Sequence, residues 1–137
     1  VPRNTFLDHE PHKPRPGDLG DSNISDKQER RVAKRTGGRR QPGSGSQAHS
    51  KGDVKAGKID PILIECKTTN KKSIRVEKKW LVKITREASA QQRDPVLVAS
   101  FPEMPSDVDR DWGIIPMQLL TALLAKAEEY DKSLLEK

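Results

Sequence analysis

An α/β sandwich is the fold this sequence predicts: a mixed central sheet in the order αβββαβ, followed by a C-terminal helix. Three features point to it. Ile62-Leu63-Ile64-Glu65-Cys66-Lys67-Thr68 puts Ile62, Ile64 and Cys66 on one side of a strand and Leu63, Glu65 and Lys67 on the other. Trp80, Leu81, Ile84 and Ala88 recur at helical spacing. The continuous apolar run Pro-Val-Leu-Val-Ala-Ser-Phe over 95–101 is the mark of a buried strand. The chain of 137 residues, 32% hydrophobic and 34% charged, can build one modest core and not two.

The elements follow in order. Residues 1–24 are rich in Pro, Asp, His and Arg without periodicity, which predicts a disordered leader ahead of a single domain over 25–137. His9 and His12 read as exposed histidines, since no further ligands follow at useful spacing. Ser25 and Gln28 fit a capping box and Gly37-Gly38 a stop, giving a helix over 26–36. Its sheltered face carries Glu29, Val32, Ala33 and Thr36, and Arg30, Arg31, Lys34 and Arg35 face out. An acid on the inward stripe is odd for a purely structural helix.

Residues 39–46 (RRQPGSGS) read as a flexible basic loop. It lacks the Gly-Lys-Ser/Thr ending of a P-loop, which excludes that mode of nucleotide binding. Residues 53–56 and 62–68 predict an antiparallel hairpin around a turn containing Gly57, and 73–76 a short third strand. A helix over 77–92 comes next, then the buried strand and a polar loop to Asp111. Pro116 opens the last helix, with Met117, Leu120, Leu123, Leu124 and Ala127 expected to face inward.

The net charge of +6 is unevenly spread. Residues 27–58 hold ten basic residues against two acids, whereas 102–137 hold eight acids against four bases. That is the footprint of a polyanion binder, although charge alone does not choose between DNA, RNA and anionic membrane. The 4% aromatic content argues against single-strand recognition by stacking. A single cysteine, Cys66, leaves no disulfide within the chain, suits a reducing compartment and reads as a core thiol. No apolar run approaches a membrane span and no signal peptide is seen, so the expectation is a cytoplasmic protein without a membrane partner.

The acids left unexplained by local structure are Glu29, Asp53 and Glu65. A hairpin brings Asp53 near Glu65, and a helix packed on that sheet can deliver Glu29 to the same end. Clustered carboxylates repel unless a cation lies among them, and Mg²⁺ suits that role, with Mn²⁺ as its substitute. The expected ligands are Asp53, Glu65 and the backbone carbonyl of Cys66, with Glu29 reaching the metal through water. Such an ion polarises a phosphodiester and activates water. Lys67, on the face of Glu65, can orient that water or stabilise the transition state. Arg30, Arg31, Lys34, Arg35, Arg39, Arg40 and Lys51 would hold the phosphate backbone. His49 reads as a loop residue beside Lys51. Glu65 and Lys67 alone could be a solvent-facing ion pair; the spacing Asp-x(11)-Glu-x-Lys after a basic helix favours metal-dependent phosphodiester cleavage.

Asp53…Glu65-Cys66-Lys67 resembles the PD-(D/E)XK nuclease superfamily, whose restriction-endonuclease-like core is αβββαβ. Lys51-Gly52 stands where a proline often precedes the first acid. More narrowly, residues 25–124 resemble the archaeal-type Holliday junction resolvases and their bacteriophage relatives. Glu29 sits on the opening helix, and Arg40-Gln41-Pro42-Gly43-Ser44-Gly45 is similar to the family's Arg-x-Pro-x-Ser-Gly loop. Ser73-Ile74-Arg75-Val76 and Gly113-Ile114-Ile115-Pro116 resemble its third strand and the approach to its last helix.

The resemblance implies Glu29, Asp53, Glu65 and Lys67 as catalytic, with Ser44 near the scissile phosphate. Trp80 stands where relatives often have a glutamine, so either that function is lost or another residue, Glu77 or Lys79, covers it. The implied activity is that of a crossover junction endodeoxyribonuclease acting in DNA recombination and repair, in a host, archaeal or bacterial cytoplasm. Branched double-stranded DNA is the implied partner. Two symmetric nicks need two sites, so a C2 homodimer is expected, with the last helix and 95–101 as candidate interface. The alternatives are a PD-(D/E)XK nuclease acting on nicks, ends or specific sites, and a non-catalytic DNA-binding module, which three acids in a basic region oppose.

Overall fold

β-branched and apolar residues concentrate in 54–68 and 94–100, and there the chain builds its sheet. The computed structural model describes residues 16–41 and 52–136, with side chains in the first segment from residue 24. Helix α1 (Pro16–Thr36) leads to strands β1 (Arg39–Arg40), β2 (Val54–Ala56) and β3 (Ile62–Thr68). Helix α2 (Lys78–Ala90), strand β4 (Asp94–Ser100), strand β5 (Asp111–Ile114) and helix α3 (Met117–Leu135) follow. The five strands lie in the order β1-β2-β3-β4-β5. β3 and β4 run parallel across the α2 crossover, and the other neighbours are antiparallel.

Alternation along β3 decides which helix covers which face. Ile64 packs with Val54, Val96 and Val98 against Val32 of α1, with Ile62 and Cys66 at the edge of this cluster. Leu63 points the other way and meets Ile84 and Ala88 of α2. The two helices therefore cover opposite faces of the sheet. Each buried Val, Leu or Ile contributes about 1.5–3 kcal/mol, while an exposed ion pair gives about 0–1 kcal/mol, so these clusters hold β3 in register. Shifting β3 by one residue would swap its apolar and charged members.

A buried polar network joins α1 to the far edge of the sheet. Gln28 Nε2 donates to the Lys67 carbonyl at 2.8 Å, the Val98 carbonyl at 3.2 Å and Ser100 Oγ at 2.8 Å. Ser100 Oγ donates to Asp111 at 2.7 Å, and Arg31 grips the same carboxylate at 2.7–3.1 Å. Arg35 reaches both Asp109 and Asp111. Burial pushes the Asp111 carboxyl up, but the hydrogen bonds from Arg31 and Ser100 outweigh it and hold its pKa at about 2.

The αβββαβ order followed by a C-terminal helix is present, with some changes of membership. α1 begins at Pro16 and not at Asp26, so Ser25 lies within the helix and caps nothing. Gln28, expected as its capping partner, is instead buried in the network. Arg39–Arg40, read as loop, pairs with β2 and supplies the first strand. Residues 73–76, read as a strand, form none: both edges of β3 are already taken by β2 and β4. The polar loop ends in β5, which pairs with β4. α3 does not turn its leucines into a core; it has no buried residue, and Met117 and Leu124 are well exposed. Residues 1–15 lie outside the described residues. Among the described residues, no helix is long and apolar enough to cross a membrane.

Candidate active site

Gly52 sets up the first acid. It has φ +86°, a conformation that favours glycine, and a Cβ there would lie 2.6 Å from Leu63. The chain can thus turn tightly over β3 and enter β2 with Asp53 in a fixed position. The Asp53 N–H donates to the Ile64 carbonyl at 2.8 Å, and its carbonyl accepts from Gln41 N–H at 2.9 Å. Its carboxylate accepts the Cys66 N–H at 2.7 Å. A strand residue presents its N–H and C=O to the same neighbour, so the Cys66 carbonyl opens toward Asp53 too.

Glu65 lies on the α2 face of β3, between two ammonium groups. Lys67 Nζ is 3.5 Å from Glu65 Oε2, and Lys83 Nζ of α2 is 3.6 Å from Oε1. Lys83 also pairs with Glu87 at 3.1 Å, and Lys67 lies 4.5 Å above the centre of the Trp80 ring. Burial and the charge of Asp53 push the Glu65 carboxyl up, against the opposing pull of Lys83 and Lys67. Glu29 lies on α1, at the other face of the sheet. Burial and Asp53 raise its carboxyl also, with Arg40 opposing at 3.2 Å. Asp53 is thus the acid that both glutamates feel. Burial, reinforced by these acids, pushes the Cys66 thiol well above its ordinary value, so it is an inert packing group.

The donor set can be tested against a metal. Among the described residues, no three Asp, Glu, His or Cys side chains converge as a ligand group. Asp53 and Glu65 with the Cys66 carbonyl give two carboxylates and one neutral oxygen. This fits the habit of Mg²⁺, which takes one or two carboxylates and leaves other positions to water and phosphate. Glu29 is engaged by Arg40.

The expected DNA contacts divide. Arg31 and Arg35 are held by Asp109 and Asp111, Arg30 by Asp26, and Arg40 by Asp26 and Glu29. Lys34 and Arg39 are exposed and have no ion pair among the described residues. Ser44, His49 and Lys51 lie outside the described residues. Sequence reasoning missed Gln28, Ser100, Asp111 and Lys83. The position of Gln28 four residues before Val32, hence on the same helix face, was the available signal for the first. Lys83 follows Trp80 by three residues, but nothing in the sequence marks it as facing Glu65.

A five-stranded mixed sheet with an acid entering one strand and Glu-x-Lys on the next is consistent with the nuclease fold of the PD-(D/E)XK superfamily. Within it, residues 26–131 match the family described as Archaeal Holliday junction resolvase (Hjc), and the chain belongs to that family. Among curated proteins and solved structures, nothing matches.

Proposed function

We propose that this chain is a metal-dependent, structure-selective endodeoxyribonuclease that cuts four-way DNA junctions by paired symmetric nicks as a homodimer. The observation that carries the reading is the Asp53 carboxylate fixed by the Cys66 N–H, one strand away from Glu65 and its lysine. Asp53, Glu65 and the Cys66 carbonyl would hold Mg²⁺, with Mn²⁺ substituting. When bound, such an ion polarises the phosphodiester and lowers the pKa of water. Lys67 brings a positive charge to the same face, where it can orient the attacking water and stabilise charge building on the phosphate. The Trp80 ring beneath it limits where that ammonium can go. Glu29 acts from the α1 side through water, and Ser44 contributes near the scissile phosphate.

Support for a second copy comes from α3. Met117, Leu120, Leu123 and Leu124 form an exposed apolar stripe, and Trp112 of β5 is exposed as well. α3 is tied to the rest of the chain by the Lys126–Asp60 ion pair. A self-complementary patch of this kind is what a C2 interface uses.

The test is cleavage of an end-labelled four-way junction beside a linear duplex of the same sequence, in Mg²⁺ or EDTA. Mg²⁺-dependent, symmetric nicks on the junction alone are expected. Equal cutting of both substrates would retain the nuclease and remove the junction selectivity. Tight junction binding without any cutting would leave a binding module.

A further inference from the structure

The fold commits most of the cations that the sequence offers for DNA and, among the described residues, leaves Lys34 and Arg39 without an ion pair. On α1, Arg31 and Arg35 are committed to Asp111 and Asp109, and Arg30 to Asp26. Drawing the first two onto phosphate would break the network that docks α1. Residues 71–86, between the Lys67 strand and the end of α2, hold seven basic residues against one acid, Glu77. Lys78, Lys79, Lys83 and Arg86 are all exposed and follow one side of α2 at helical spacing. With Val82 and Glu87 they make up one open face of the helix. That face borders the candidate site, because Lys83 Nζ also lies 3.6 Å from Glu65.

Resting on the nuclease reading above, we infer that the outer face of α2 is the track for the phosphodiester backbone of a duplex arm. Lys78, Lys79 and Arg86 supply the phosphate contacts. Lys83, at the inner end, marks where the backbone passes the Glu65 carboxylate. The ammonium and guanidinium groups follow the ridge of a rigid helix, so the track also sets the direction in which the arm leaves the site. Charge complementarity selects the occupant: Glu77 pairs with Lys79 and Glu87 with Lys83, which leaves Lys78 and Arg86 without an acid partner among the described residues.

The salt dependence of junction binding tests this, because each neutralised phosphate contributes about −0.9 to the slope of log K against log salt. The triple variant Lys78→Gln, Lys79→Gln, Arg86→Gln, measured by anisotropy on a labelled junction in EDTA, should flatten that slope by about two to three. A charge-preserving variant, Lys78→Arg, Lys79→Arg, Arg86→Lys, should keep the wild-type slope. A glutamine variant that keeps the wild-type slope would overturn the track and leave the nuclease reading intact. Equal weakening in the charge-preserving variant would assign the loss to helix structure and overturn the track too. If the wild-type chain neither binds nor cuts junctions, both readings fall.

Discussion

Glu65 sits between Lys67 and Lys83, and the two lysines are not equivalent. Lys67 shares a strand with Glu65 and rests over Trp80, whereas Lys83 divides its charge between Glu65 and Glu87. Lys67→Met should therefore lower kcat on a junction by about 10²–10³ while binding changes little, as when one charge-stabilising group is removed. Single-turnover cleavage at saturating enzyme checks this; a loss confined to binding would remove Lys67 from the chemistry. Acid titration reads the same site through stability. Glu29 and Glu65 have raised carboxyls, from burial and then Asp53, so their neutral forms favour the fold. That contribution is complete below the unfolded value of about 4.3 and is lost as pH rises through the raised folded values. Asp111 has the opposite sign. Its contribution is present above about 3.9 and lost as pH falls through the folded pKa of about 2. Urea midpoints of chelator-treated protein should rise on moderate acidification and then fall. A steady decline from neutral pH would show that the two glutamates are not strained.

At the scale of elements, the helices and strands are locked by polar groups as much as by packing. Gln28 is buried and shares its two Nε2 hydrogens among three acceptors on β3 and β4. Gln28→Leu should cost about 2–3 kcal/mol, since the stranded buried acceptors lose their donor. A urea melt measures it. Gly52→Ala should cost about 1–3 kcal/mol through its positive φ and the collision with Leu63, and should lower cleavage further because Asp53 is its neighbour. Much of this was legible locally. The parity of β3 follows from alternation alone, and with it the shared face of Glu65 and Lys67. Asp53, read as the first residue of its strand, lies just ahead of β2 and is tied to β3 through the Ile64 carbonyl and the Cys66 N–H. What escaped depends on partners elsewhere. Two arginines after a glycine pair become β1 only because β2 offers an edge, and 73–76 alternates but finds no free edge beside β3. Ser25 looks like a cap, yet a cap is permissive, and Pro16 can open the helix instead.

Across the whole molecule, the apolar stripe on α3 is the feature that a single copy leaves open. Leu120→Glu with Leu124→Glu should shift the protein from dimer to monomer in light scattering, with little loss of folded structure, since neither side chain is buried. Junction cleavage by that variant should yield single, unpaired nicks. A variant that remains dimeric would move the interface away from α3. The clamp that fastens α1 to Asp109 and Asp111 has a consequence in time. Arg31 finds its partner 80 positions later in the chain, and Arg35 finds Asp109 74 positions later. At about 5–20 residues per second of synthesis, those acids emerge about 4–16 seconds after the helix that needs them. Until then Arg40 of β1 is the counter-charge available to α1, through Asp26 and Glu29, while Arg31 and Arg35 wait for theirs. The ribosome therefore releases α1 early and the other half of its clamp late, so Arg31 and Arg35 stay without these partners until Asp109 and Asp111 have been made.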